Sequence, residues 1–216
     1  MYRFVENKTF LKKAQLACSN MLQDLIELLK EDGISSQIIL VGSGGRNMIT
    51  QNGDGDIDFD YNLYVQKCDY INDGRQLKEC VRRRFNEIMK RYKLNDVQDS
   101  TSTLTTYKMC LKGYEDINFS IDLCVIAKKS DDNWYRLIHE KTGIVSRDRY
   151  FWNIVPDSFD VATKACLLKR SNLWQEVRNA YLNKKNFYLP RNDYNHTSFI
   201  CYVEAVNEVF SKYFIY

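Results

Sequence analysis

The sequence predicts an α/β (α+β) fold: a small mixed sheet flanked by helices, followed by a mostly helical C-terminal part. Three observations carry this expectation. Residues 56–65 and 117–127 alternate apolar and polar side chains, the period of strands with one buried face. Apolar residues recur at three- and four-residue steps through 9–31 and 75–93, as on amphipathic helices. Past residue 130 the alternation gives way to helix-like segments near 158–170, 172–185 and 197–213.

In chain order, the first helix places Leu11, Ala14, Cys18, Leu22, Leu25, Ile26 and Leu29 on one side and stops at Asp32-Gly33. The apolar run 37–41 is a short buried strand leading into Gly42-Ser43-Gly44-Gly45-Arg46. The next strand buries Ile57, Phe59, Tyr61, Leu63 and Val65, leaving Asp56, Asp58, Asp60 and Asn62 on the other face. A second helix buries Leu77, Val81, Phe85, Ile88, Met89 and Tyr92, with Arg82-Arg83-Arg84 on its solvated side. Residues 101–111 and 117–127 read as a β-hairpin about the turn 112–116, with Asn118, Ser120 and Asp122 on the polar face of its second arm. The expected division is a core over residues 1–130 and a mostly helical part over 131–216 packed on it.

Composition removes several function classes. With 44% hydrophobic residues in 216, the chain can fill a core. Its 31 Lys+Arg against 28 Asp+Glu, a formal charge of +3, do not describe a polybasic nucleic-acid binder. No apolar stretch reaches the about 18 residues needed to cross a bilayer, and the N-terminus lacks a signal-peptide block, so a soluble cytoplasmic protein without membrane partners is expected. The seven cysteines are scattered without a zinc-type or redox-type pair. Two histidines, His139 and His196, leave few ways to build a Ser-His-Asp triad. Catalysis is pushed toward carboxylates.

Residues two apart on a strand lie on one face, about 6–7 Å from each other. Asp56 and Asp58 thus present two carboxylates side by side, and a divalent cation is the natural remedy for their repulsion: Mg²⁺ prefers oxygen ligands and is shared between one or two carboxylates and substrate phosphates. Asp122 stands on the polar face of another strand; were the two strands neighbours, three acids would converge and could hold a pair of ions, Mg²⁺ or Mn²⁺. Just upstream, Gly42, Ser43, Gly44 and Arg46 supply the complement: glycines leave backbone N–H groups uncovered as a phosphate cradle, more so if a short helix starts at Arg46 or Asn47.

Helix, strand ending in Gly42-Ser43, Asp56-Ile57-Asp58-Phe59 on the next strand and Ser120-Ile121-Asp122-Leu123 on a later one together resemble the DNA polymerase β-type nucleotidyltransferase superfamily, in particular its small bacterial-type members. The resemblance covers residues 10–127, with Gly44-Gly45-Arg46-Asn47 departing from the compact pattern that follows Gly-Ser in small members. It implies a metal- and NTP-dependent enzyme that moves a nucleoside monophosphate to an acceptor hydroxyl and releases pyrophosphate. Asp56 and Asp58 would hold the metals, Asp122 would activate the acceptor, and Gly42 with Ser43 would hold the β- and γ-phosphates. Asp58 and Asp60 form an equally spaced pair; Asp56 and Asp58 are preferred because the family places its pair at the strand's entry. A small molecule, an RNA end, a protein hydroxyl and a second nucleotide stay open as acceptor, as does the oligomeric state.

Rival readings fare worse. A calcium loop fails because Ile57 or Phe59 stands where its glycine belongs. A dinucleotide fold fails at Asn47, where a third glycine or alanine is expected. A metal-bound sugar-nucleotide transferase uses the same Asp-x-Asp but usually in a larger domain. Arg191 and His196, five apart, resemble the signature of HEPN ribonucleases, although a loop or helix cap explains them as well. A non-catalytic nucleotide sensor with the same fold is the alternative of a different class.

Overall fold

The computed structural model describes residues 1–191, 193 and 195–214. They divide into two compact units, each built from separate stretches of chain: Glu6–Ile49 with Gly55–Val155, and Met1–Val5 with Thr50–Asp54 and Pro156–Tyr216. No helix among the described residues is long and apolar enough to cross a membrane.

The larger unit is a mixed sheet with helices on one face. Its main path runs β10 (Arg149–Ile154), β9 (Trp134–Glu140), β8 (Tyr114–Lys128), β4 (Ile57–Lys67) and β2 (Ser35–Leu40). Short strands β6 (Leu104–Thr105) and β7 (Met109–Leu111) attach beside β8, and β5 (Gln98–Asp99) pairs with β6. The long strands β4 and β8 are parallel neighbours, and β2 pairs antiparallel with β4. Ile57, Phe59, Leu63, Phe119, Ile121 and Leu123 are buried, and the helices α1 (Lys8–Glu31) and α3 (Gly74–Arg91) cover their face. Phe10 of α1 meets the Phe119 ring edge-on at 6.2 Å, and Phe59 meets it at 6.0 Å.

Caps and charge place the two helices. The side chain of Asn7 accepts from the Phe10 N–H at 2.9 Å, and that of Asp73 from the Gln76 N–H at 2.9 Å, satisfying donors that a helix start leaves over. Where α1 ends, Asp32 takes a two-pronged contact from Arg84 of α3, Nε at 2.6 Å and Nη2 at 2.7 Å. These hydrogen bonds hold the Asp32 carboxyl down at about 2, with burial pulling the other way. Part of the arginine run is therefore an inter-helix clasp, not only a solvated face.

Two segments depart from the sequence expectation. The sheet does not end near residue 130: β9 and β10 extend it to Ile154. Their alternation was hidden because a buried inward position of β9 is His139, held between Asp99 (Nδ1, 2.7 Å) and Asp148 (Nε2, 3.1 Å), so the buried face does not read as apolar. Residues 101–111 are not one continuous hairpin arm but β6 and β7, separated where the hydroxyl of Thr106 accepts the Ile121 N–H at 2.9 Å in place of a backbone carbonyl.

In the smaller unit β1 (Tyr2–Phe4) pairs antiparallel with β3 (Thr50–Asn52), alongside α4 (Phe159–Arg170), α5 (Trp174–Tyr188) and α6 (Ser198–Phe214). The three helices lie close to the segments expected. Leu168, Val177, Tyr181, Cys201, Ala205 and Val206 form their common core. Lys185 is buried too, its Nζ 2.7 Å from the Thr50 hydroxyl and 4.5 Å from the Tyr2 ring.

Candidate functional site

The strand β2 ends at Leu40, and the chain then turns through a single helical turn, α2 (Gly42–Gly45). The helical turn thus ends at Gly45, and no helix starts at Arg46 or Asn47. The glycines are what let this turn sit where it does. Gly42 has φ +60°, and a Cβ there would overlap the carboxylate of Asp60. A Cβ on Gly45 would lie 2.8 Å from the Leu40 carbonyl oxygen. The first N–H groups of such a turn have no partner within it. Arg46 folds back, its Nη1 donating to the Gly42 carbonyl at 2.8 Å, so it braces the turn from behind. Ser43 is half-buried and Gly44 buried.

The acids stand on the sheet face opposite α1 and α3. In the parallel pairing of β4 with β8, Asp58 is level with Ser120 and Asp60 with Asp122. Paired residues share a face, so Asp58, Asp60, Ser120 and Asp122 form one polar block. Asp56 lies just before β4. Ser120 Oγ donates to Asp58 Oδ1 at 2.6 Å, and Thr105 Oγ1 to Asp122 Oδ1 at 2.5 Å. Burial pushes the Asp122 carboxyl above its ordinary range, the Thr105 hydrogen bond opposes this, and the nearby charge of Asp58 adds to the rise. Asp56 instead meets a cation, Lys108 Nζ at 2.5 Å. Asp54 belongs to the smaller unit, where Arg3 lies 3.6 Å from it and both side chains are exposed.

Among the described residues no three acidic, cysteine or histidine side chains already stand close enough to share one ion. The donor chemistry nevertheless fits a hard divalent cation: oxygen ligands only, two of the acids oriented by hydroxyl donors, and one already neutralised by an ammonium. Sequence reasoning missed Lys108 and Thr105. Thr105 lies in the two-residue strand β6 and Lys108 in the gap between β6 and β7, both too short for a periodicity to say which way a side chain points.

Arg191 and His196 have separate partners among the described residues. Arg191 donates to the Phe187 carbonyl and lies 3.9 Å over the Phe187 ring. His196 stacks on Tyr188 at 3.7 Å, with Nδ1 2.8 Å from Asp193 and Nε2 3.3 Å from Glu204. Asn192 and Tyr194, within the same signature, lie outside the described residues.

No protein-family model and no curated protein sequence matches the chain. Solved structures do. CdnC of E. coli MS115-1, determined with ATP, superposes with a TM-score of 0.59 at 12% identity, over 93% of this chain and 61% of that one. The CdnE cyclic dinucleotide synthase of Elizabethkingia meningoseptica, with GTP and Apcpp, gives 0.56 at 13%, over 89% and 68%. DncV of Vibrio cholerae in its GTP-bound form gives 0.54 at 13%, over 83% and 46%. The chain thus spans between about half and two thirds of the length of these proteins. The chain described here shares the fold of these proteins.

Proposed function

We propose that the protein is a metal-dependent nucleotidyltransferase that moves a nucleoside monophosphate from an NTP to an acceptor hydroxyl with release of pyrophosphate. The observation that carries the reading is the parallel register of β4 and β8, which sets Asp58 and Asp60 beside Ser120 and Asp122 on the face that α1 and α3 leave uncovered. A nucleotidyltransferase fold that accommodates NTPs in its neighbours supports the same reading.

Asp58 and Asp122 are the central pair of this proposal. Asp56 and Asp60 compete for the third place, and register favours Asp60: it is level with Asp122 and lies against Gly42, whereas Asp56 is at the entry and paired with Lys108. These carboxylates would hold Mg²⁺ or Mn²⁺, which would neutralise charge on the transferring phosphoryl group. Gly42, Ser43 and Gly44 would receive the β- and γ-phosphates through backbone N–H groups and the Ser43 hydroxyl, with Arg46 keeping the turn in shape. The raised affinity of Asp122 for a proton suits it to accept one from the acceptor hydroxyl. Thr105, donating to the other side of that carboxyl, would keep it aimed.

The test is incubation with each α-labelled NTP, Mg²⁺ or Mn²⁺, and a cell extract as the source of acceptor. A labelled product that disappears in Asp58→Asn supports the enzyme; undiminished product in that variant overturns the assignment. Tight NTP binding with no product from any acceptor would instead make the protein a nucleotide sensor of the same fold.

A further inference from the structure

The polar face of the sheet continues beyond the acids into a cavity. Asn62 follows Asp60 by two residues on β4, and Ile126 follows Asp122 by four on β8, about 7 and 13 Å along the strands. Asn62 is paired with Ile39 of β2 and Ile126 with Arg136 of β9, so four strands present these side chains on one face. With Trp134 and Val155 they surround a space of about 230 Å³. Ile39, Ile126, Trp134 and Val155 make it largely apolar. Two of its polar atoms are buried without a hydrogen-bond partner, Asn62 Oδ1 and Arg136 Nε.

Buried polar atoms are nearly always paired, and leaving the Arg136 Nε–H without an acceptor costs its desolvation. A ligand that relieves both must bring a hydrogen-bond acceptor to Arg136 and a donor to Asn62, on a flat body that fills the apolar walls. A guanine-type base meets all three requirements. Its O6 and N7 accept from an arginine, its N1–H or amino group can donate to an amide oxygen, and its ring faces are apolar. Adenine sets an amino donor beside N7, so one arginine donor would face another donor.

We propose that Arg136 and Asn62 read the keto edge of a guanine-type base, so that one of the nucleotides handled at the acids is a guanine nucleotide. This rests on the nucleotidyltransferase reading above and adds base selection to it.

Calorimetric titration of the full chain in Mg²⁺ with non-hydrolysable GTP, ITP and ATP analogues tests it. Guanine is expected to bind about tenfold or more tightly than adenine, the discrimination typical of one good arginine contact, and hypoxanthine, which keeps O6 and N7, to retain most of that preference. Arg136→Met should lower GTP-analogue binding to the adenine level and leave ATP-analogue binding unchanged. Should Arg136→Met fail to fold, Arg136→Lys, which keeps the charge and loses the forked geometry, should reduce the preference. Equal binding of the guanine and adenine analogues by the unaltered protein, or a guanine preference that survives loss of the guanidinium, overturns base selection while leaving the nucleotidyltransferase reading standing. Failure of every analogue to bind overturns both.

Discussion

At the residue scale, Asp122 couples the site to stability. Its folded-state affinity for protons is raised, so as pH climbs from the ordinary carboxyl range toward that higher value the unfolded chain releases its proton first and stability falls. At neutral pH the ionised, partly buried carboxylate is a burden. Asp122→Asn is therefore expected to raise the melting temperature of the metal-free protein while abolishing transfer; a clear drop would show that the Thr105 contact matters more than the buried charge. Asp60→Asn against Asp56→Asn separates the two metal pairings: the first should cost about a hundredfold or more in transfer and the second far less, read as initial rates of pyrophosphate release. The Asp-x-Asp alternation and the lone Asp122 were legible because a strand's period fixes which side chains share a face. Which acids are level with one another was not, since register between strands whose paired residues are 62 apart in sequence depends on packing that no local pattern encodes.

At the scale of elements, the α2 turn and the α1 to α3 clasp make separate claims. Gly42→Ala adds a Cβ at positive φ that collides with Asp60, whereas Gly33→Ala, also at positive φ, meets nothing within 4 Å. Both should lower stability, Gly33→Ala by about 1 kcal/mol and Gly42→Ala by about 2 to 3 kcal/mol, measured by urea unfolding. Asp32 holds its carboxyl down at about 2, so its contribution is present above its ordinary value of 3.8 and lost as pH falls toward 2. After allowance for solvent screening this amounts to about 1–2 kcal/mol. Arg84→Met should flatten the pH dependence of unfolding in that window; an unaltered curve would deny the clasp its role. The long helices were readable from apolar spacing and their stops. The strands β9 and β10 were not, because a buried histidine between two acids looks like surface until its partners are known.

At the scale of the whole molecule, ligand binding becomes a stability measurement. If Mg²⁺ with an NTP binds the folded protein alone, nucleotide at a hundred times its dissociation constant adds about 2.7 kcal/mol, and the melting temperature should rise accordingly. Asp58→Asn should lose most of that shift in Mg²⁺; the same shift with and without the metal would argue against a shared metal and phosphate site. Composition was silent on how the chain is partitioned. A single boundary near residue 130 looked natural because the texture changes there, yet Met1–Val5 and Thr50–Asp54 group with the C-terminal helices.

That partition has a consequence for the order in which the protein can be completed during synthesis. The Tyr2 N–H donates to the Asn186 side chain, which donates in turn to the Tyr2 carbonyl, across 184 residues. Tyr2 is translated 184 residues ahead of this partner. The strand pair β1 and β3 can form early, but its docking on α5 must wait and carries the entropy of closing a very long loop. The sheet unit draws on no residue beyond Val155 and can begin to fold while the helices are still being made. Removal of Met1 to Val5 should therefore slow or weaken assembly of the helical unit while the sheet unit still forms, a difference that amide exchange would resolve.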